Sequence, residues 1–246
     1  MKIAPDLHIV GSGDSGLNLS GALDANCYLV DTGNGLWLFD VGFDGCDRIL
    51  ENIEADGLNP SDIVRIFLTH HHADHAGAAA DFAERLPDCM IGVAAESAAG
   101  IRAGDEAVNG LAWARDVGDY PASFSLRPSR VDMELTSGMQ FTRGRWRVRT
   151  IATPGHCVGH FSFLVQGPGA SILIGGDQVF CDGRILLQNL PDVDIRQCAT
   201  SMERLLALEF ETLLPGHGRF SLERGKRHLE AAHAVLSGIA VPPNLV

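Results

Sequence analysis

The chain lacks the marks of several large protein classes. No apolar run approaches the roughly 18 residues that a membrane-spanning helix needs. The first residues, Met1-Lys2-Ile3-Ala4-Pro5-Asp6-Leu7-His8, have no apolar core of the kind a secretory signal carries. Six cysteines (27, 46, 89, 157, 181 and 198) include no Cys-x-x-Cys pair, which excludes a zinc ribbon and argues against a disulfide framework. Cationic charge is short as well. Nineteen Lys plus Arg face 31 Asp plus Glu, for a formal charge of −12, the reverse of what a phosphate-backbone binder needs. These absences lead us to expect a reduced, cytoplasmic protein with neither a membrane nor a nucleic-acid partner. The one basic stretch, Arg143-Gly144-Arg145-Trp146-Arg147-Val148-Arg149, alternates and reads as a strand with one solvated, charged face.

What is present is an ordinary globular composition, 46% hydrophobic and 20% charged over 246 residues, enough to bury a large core. No internal break is sharp, so a single domain over 1–246 is expected. Strands are predicted at 27–30, 36–39, 64–68, 146–151, 161–165 and 172–174, the first two joined by an Asn34-Gly35 hairpin signal. Helices are predicted at 46–56, 77–86, 194–208 and 222–236, the last with apolar residues on one face. This order gives an α/β chain with sheets packed together and helices outside, rather than one parallel doubly wound sheet. Residues 96–128 lack a strand pattern and carry Trp113, Tyr120 and Phe124. They read either as a helical excursion packed on the surface or as a lid with aromatic substrate walls.

The run Thr69-His70-His71-His72-Ala73-Asp74-His75 puts five metal-capable side chains into six positions. Crowded imidazoles repel when charged, and each ring nitrogen needs a partner when buried and neutral. A divalent metal resolves both conflicts. The run lies between a predicted strand and a predicted helix, where α/β proteins place their sites. Three more segments set a ligand-type residue at a strand end beside glycine: Thr153-Pro154-Gly155-His156, Gly175-Gly176-Asp177 and Pro215-Gly216-His217-Gly218.

In order, spacing and local context, His70-x-His72-x-Asp74-His75 followed by His156, Asp177 and His217 resembles the full signature of the metallo-β-lactamase-fold superfamily. Phe39-Asp40-Val41-Gly42 is similar to that family's aspartate-x-glycine turn. The resemblance covers nearly the whole chain. It implies a four-layer αββα sandwich of two mixed β-sheets flanked by helices. His70, His72 and His156 would hold one metal and Asp74, His75 and His217 a second, with Asp177 bridging. Zinc is the expected occupant, with iron or manganese as alternatives. Two such ions about 3.5–4 Å apart would acidify a shared water as the nucleophile towards a carbonyl. Asp74 would orient that nucleophile or carry its proton.

The remaining candidates read as bystanders. His71 points away from the run in an extended backbone, and His160 reads as support for the ligands. His8, His228 and His233 read as surface or packing residues, Cys157 and Cys181 as small buried hydrophobes, and Asp40 as a turn acceptor. The resemblance also narrows the reaction. Class B β-lactamases typically lack the bridging aspartate, and flavodiiron proteins usually carry glutamate where this chain has His72. The nuclease branch adds a domain or RNA-binding arm. Glyoxalase II adds a helical extension for glutathione, whereas 29 residues follow His217 here. Lactonases carry tyrosine at the position of Phe180. The expected protein is therefore a dinuclear hydrolase of a small ester, thioester or lactone. The alternatives are a mononuclear iron oxidoreductase resembling persulfide dioxygenases, and a metal-containing binding or regulatory protein of low turnover. Oligomeric state is not legible in the sequence.

Overall fold

A computed structural model describes residues 1–108, 110–238 and 240–245. Its contacts divide the chain into two compact units, Met1–Leu135 and Thr136–Val246. The boundary has no compositional mark, so the sequence could not show it.

The first unit is built on β1 (Lys2–Ala4), β2 (Leu7–Gly11), β3 (Cys27–Asp31), β4 (Leu36–Phe39), β5 (Ile63–Phe67), β6 (Met90–Ala94) and β7 (Met133–Leu135). These strands lie in sequence order in one sheet. The β1 to β4 pairings are antiparallel and the β4 to β7 pairings parallel. Strands β2 and β4 are buried along their whole length, as near-continuous apolar runs covered on both faces must be. The covering elements are α1 (Asp47–Ala55), α2 (Ala73–Ala76), α3 (Ala79–Arg85), α4 (Ala95–Ala103) and α5 (Leu111–Val117). Ile49 and Ile53 of α1, Phe82 of α3 and Ile101 of α4 share one apolar cluster with Leu29, Leu38 and Ile66 of the sheet. The helix predicted at 77–86 begins two residues late, at Ala79, where the Ala78 N–H donates to the carbonyl of Gly42. A Cβ on Gly77 would lie 2.1 Å from the Phe43 carbonyl oxygen, so only glycine allows this approach.

The second unit carries β8 (Gln140–Arg143), β9 (Trp146–Ala152), β10 (Phe161–Gly167), β11 (Ala170–Gly176) and β12 (Thr212–Pro215), ordered β12-β11-β10-β9-β8. Only the β11–β12 pairing is parallel. The basic stretch forms the β8–β9 hairpin, with Trp146 and Val148 buried and Arg145 and Arg147 exposed. Helices α6 (Ile195–Leu206) and α7 (Lys226–Leu236) contribute Met202, Leu205 and Leu229 to a cluster with Leu164, Leu173 and Leu213. Helix α7 begins four residues later than predicted. Ser221 exchanges backbone hydrogen bonds with Leu213, and Arg224 takes a positive φ of 55°, so the chain before Gly225 is held out of the helix. The expected pair of mixed β-sheets flanked by helices is therefore present.

Candidate metal centre

In the first unit, β5 delivers Leu68 and Thr69 to a loop that α2 closes. His70, His72 and His75 are buried, at 0%, 6% and 0% exposure. The His70 ring centroid lies 4.6 Å from that of His72 and 4.1 Å from that of His75. Asp40, in the turn after β4, organises the cluster. Its Oδ1 accepts from the Thr69 N–H at 2.7 Å, and its Oδ2 from the Thr69 hydroxyl and from His75 Nδ1, each at 2.8 Å. The Thr69 hydroxyl, having donated to Asp40, accepts from His70 Nδ1 at 3.0 Å. The network thus assigns the N–H of both rings to Nδ1 and makes Nε2 the lone-pair nitrogen. The loop backbone is fixed too: Ala25 N–H donates to the Asp74 carbonyl and Val41 N–H to that of His75. Asp74 Oδ2 lies 3.6 Å from His75 Nε2, while Asp74 Oδ1 accepts from the Tyr120 hydroxyl at 2.7 Å.

In the second unit, the turn after β9 presents His156. Gly155 there has a φ of 141°, and a Cβ would stand 2.4 Å from the Cys198 nitrogen. Helix α6 braces this turn, with Ser201 Oγ donating to the Pro154 carbonyl and Asp194 N–H to that of Gly155. Strand β11 ends at Asp177, and the turn after β12 carries His217, with the Gly216 N–H donating to the Gly176 carbonyl. Asp177 Oδ2 lies 3.7 Å from His156 Nε2 and 3.3 Å from His217 Nε2. Behind it, Asp177 N–H donates to His160 Nε2 at 3.0 Å. His160 Nδ1 therefore donates to the Thr153 hydroxyl at 2.8 Å. That hydroxyl donates to Ser162 Oγ at 3.0 Å, and Ser162 donates to the Gly175 carbonyl. His156 Nδ1 addresses the Leu186 carbonyl at 3.4 Å.

The donor chemistry fits divalent metal. In His70, His75 and His156 the outer nitrogen Nδ1 is given to an acceptor of the protein, which fixes the tautomer and leaves Nε2 basic, as metal-bound histidines require. The carboxylates and imidazoles are oxygen and nitrogen donors suited to zinc. Within each unit the expected ligands are brought together: His70, His72, Asp74 and His75 in one, His156, Asp177 and His217 in the other.

The bystanders take the roles of braces. Asp40 and His160 act as anticipated. His71 is buried and pairs through Nδ1 with Ser97 Oγ at 2.8 Å. His8 is 3% exposed and pairs with Asp56 at 2.6 Å, so it is a packing residue rather than a surface one. Phe180 is buried with its ring 6.1 Å from that of His217. Among the described residues no cysteine forms a disulfide. Burial pushes the Cys89 and Cys198 thiols up to about 12 and raises that of Cys181, so these three are protonated at neutral pH and poor nucleophiles. Three contributors escaped sequence reasoning: Thr69, Thr153 and the hydroxyl of Tyr120. The first two had one usable signal, a threonine at a strand end just ahead of ligand-type residues. The tyrosine contact spans 46 positions and left no local signal.

Hydroxyacylglutathione hydrolase of Acidiphilium cryptum is 29% identical over 194 residues, covering 78% of this chain; the chain spans 64% of that relative's length. The probable metallo-hydrolase YqgX of Bacillus subtilis is 30% identical over 200 residues, 80% of this chain and 87% of that one. A solved metallo-beta-lactamase of Cronobacter sakazakii, with the HARLDQ motif, shares the fold at a TM-score of 0.74 and 22% identity, over 96% of this chain and 95% of that one. No helix among the described residues is long and apolar enough to cross a membrane. Residues 20–217 match the family described as the Metallo-beta-lactamase superfamily, and with four fifths of its length inside that match the chain belongs to this superfamily.

Proposed function

We propose that the chain is a dinuclear metal-dependent hydrolase of a small ester, thioester or lactone. His70, His72 and His156 would hold one ion and Asp74, His75 and His217 the other, with Asp177 serving both. Bound there, two divalent ions, zinc by preference of the donor set, supply Lewis acidity and an acidified water. The observation that carries this reading is the position of Asp177. One of its oxygens lies within 3.7 Å of an imidazole from each proposed ligand set, and the Asp177 backbone N–H donates to His160.

Asp177 is 2% exposed and Asp74 13%. Asp74, the more exposed of the two carboxylates, would orient the attacking water or carry its proton to the leaving group. No serine or cysteine nucleophile is needed, and the raised thiols at 89, 181 and 198 are poor nucleophiles at neutral pH. The hydrolase named for A. cryptum supports an acyl-transfer substrate. Phe180, buried and without a hydroxyl, offers no donor to a lactone carbonyl, which favours ester and thioester over lactone.

Metal analysis of the purified protein is expected to give close to two equivalents of zinc per chain. Assay against aryl esters, thioesters, lactones, phosphodiesters and β-lactams is expected to show turnover in the first two classes. One iron per chain with oxygen uptake on a persulfide would overturn the proposal.

A further inference from the structure

Tyr120 makes a contact with the histidine loop that the proposed mechanism leaves unexplained. The Tyr120 hydroxyl donates to Asp74 Oδ1 at 2.7 Å, while Asp74 Oδ2 lies 3.6 Å from His75 Nε2. The two oxygens of one carboxylate are thus divided between a tyrosine and the point addressed by a neighbouring imidazole. We infer that Tyr120 is a positioning residue: it holds Asp74 in the orientation that presents Oδ2 alongside His75, and so sets the affinity of the second metal position. This inference rests on the dinuclear reading.

The tyrosine is built to hold that orientation. Its ring stacks on Phe43, with centroids 5.0 Å apart and planes at 28°. Phe43 is in turn packed on Phe124 at 4.0 Å. The Phe43 N–H is fixed by the carboxylate of Asp24 at 2.7 Å, so the floor under the tyrosine belongs to the same turn that carries Asp40. Buried Leu111 and Leu126 pack with Phe43 and with Ala73, the residue preceding Asp74. The segment is also braced within itself. Arg115 donates to the Phe124 carbonyl at 2.6 Å and pairs with Glu106, whose carboxylate accepts the Leu126 N–H. A phenol is protonated at neutral pH and donates. Its bond to Asp74 therefore occupies Oδ1 and leaves Oδ2 as the oxygen on the side of His75. Partners that orient a metal-binding group in this way are commonly worth about 10- to 100-fold in metal affinity.

The test is Tyr120→Phe, which keeps the ring on Phe43 and removes only the donor. Zinc is titrated into metal-free protein against a chelator, with wild type alongside, and Tm is recorded for both. The expected result is two ions in each protein, with the weaker site loosened about tenfold or more in the variant, the tighter site unchanged, and Tm nearly unmoved. On an aryl ester, kcat is expected to fall with KM unchanged. Two ions of unaltered affinity in the variant would overturn this inference alone, as would a raised KM at unchanged kcat, which would make Tyr120 a substrate wall. A wild type that takes up one ion overturns the dinuclear reading and the inference with it. Phe43→Leu, which keeps the hydroxyl but loosens the ring beneath it, covers the case in which Y120F fails to fold. It is expected to weaken the same site by a smaller factor, and no change there would also overturn the inference.

Discussion

The two units hold their ligand-type residues in opposite ways. In the first, four of seven fall within six consecutive positions of one loop, yet what orients them comes from far along the chain: Asp40 lies 35 residues from His75 and Tyr120 lies 46 from Asp74. In the second, His156, Asp177 and His217 stand at the ends of β9, β11 and β12, and much of their support is backbone: a glycine turn, a helix brace, and the Asp177 N–H on His160. The difference teaches that ligand density and ligand order are separate properties. A crowded loop must borrow side chains to select tautomers and rotamers, whereas a sheet supplies much of the order to the residues it presents.

Four substitutions break or sharpen this contrast. The largest effect is expected from Asp177→Ala, which removes the carboxylate that His156 and His217 approach. Turnover of a generic aryl ester should be lost and metal content should fall, and activity that survives with metal lost would sink the proposed nucleophile. Next is Asp40→Asn. Asparagine tolerates the positive φ of 59° at this position, so the turn survives, but its single acceptor oxygen cannot serve the Thr69 N–H together with the Thr69 hydroxyl and His75. Metal affinity should fall about 10- to 100-fold by chelator competition. His160→Ala tests the backbone-supported unit. It leaves the Asp177 N–H and the Thr153 hydroxyl without their acceptor and donor, costing about 1–3 kcal/mol in denaturant unfolding, with metal affinity near the low end of that same range. If His160→Ala costs more affinity than Asp40→Asn, the contrast between borrowed and built-in order is reversed. The smallest effect belongs to Arg147→Ala on the solvated face of β9, within about 0.5 kcal/mol of wild type and with metal binding unchanged.

Much of this molecule was legible in its sequence because its strands are short, strongly apolar and punctuated by glycine. The strand of 36–39 is where it was expected, and the boundaries of the other anticipated strands moved by one or two residues. Strands β1, β2, β6, β7 and β8 were not anticipated. Those at 90–94 and 133–135 consist of few residues and owe their place in the sheet to parallel neighbours, which no local pattern reports. Residues 96–128 defeated pattern reading for a related reason. Helix α5 is a seven-residue element, and what it and its flanking turns contribute is a set of contacts with Phe43, Ala73 and Asp74.

The sequence by itself determined the identity of the seven ligand-type residues, their order, and their presentation at strand ends. Those properties follow from residue chemistry and from turns of a few residues, where local sterics and glycine govern the backbone. Tertiary structure decided which nitrogen of each key histidine carries its proton, which oxygen of Asp177 addresses two imidazoles, and which oxygen of Asp74 a tyrosine holds. These are properties of pairs far apart in the chain, fixed only when burial removes water as an alternative partner and makes each hydrogen bond exclusive.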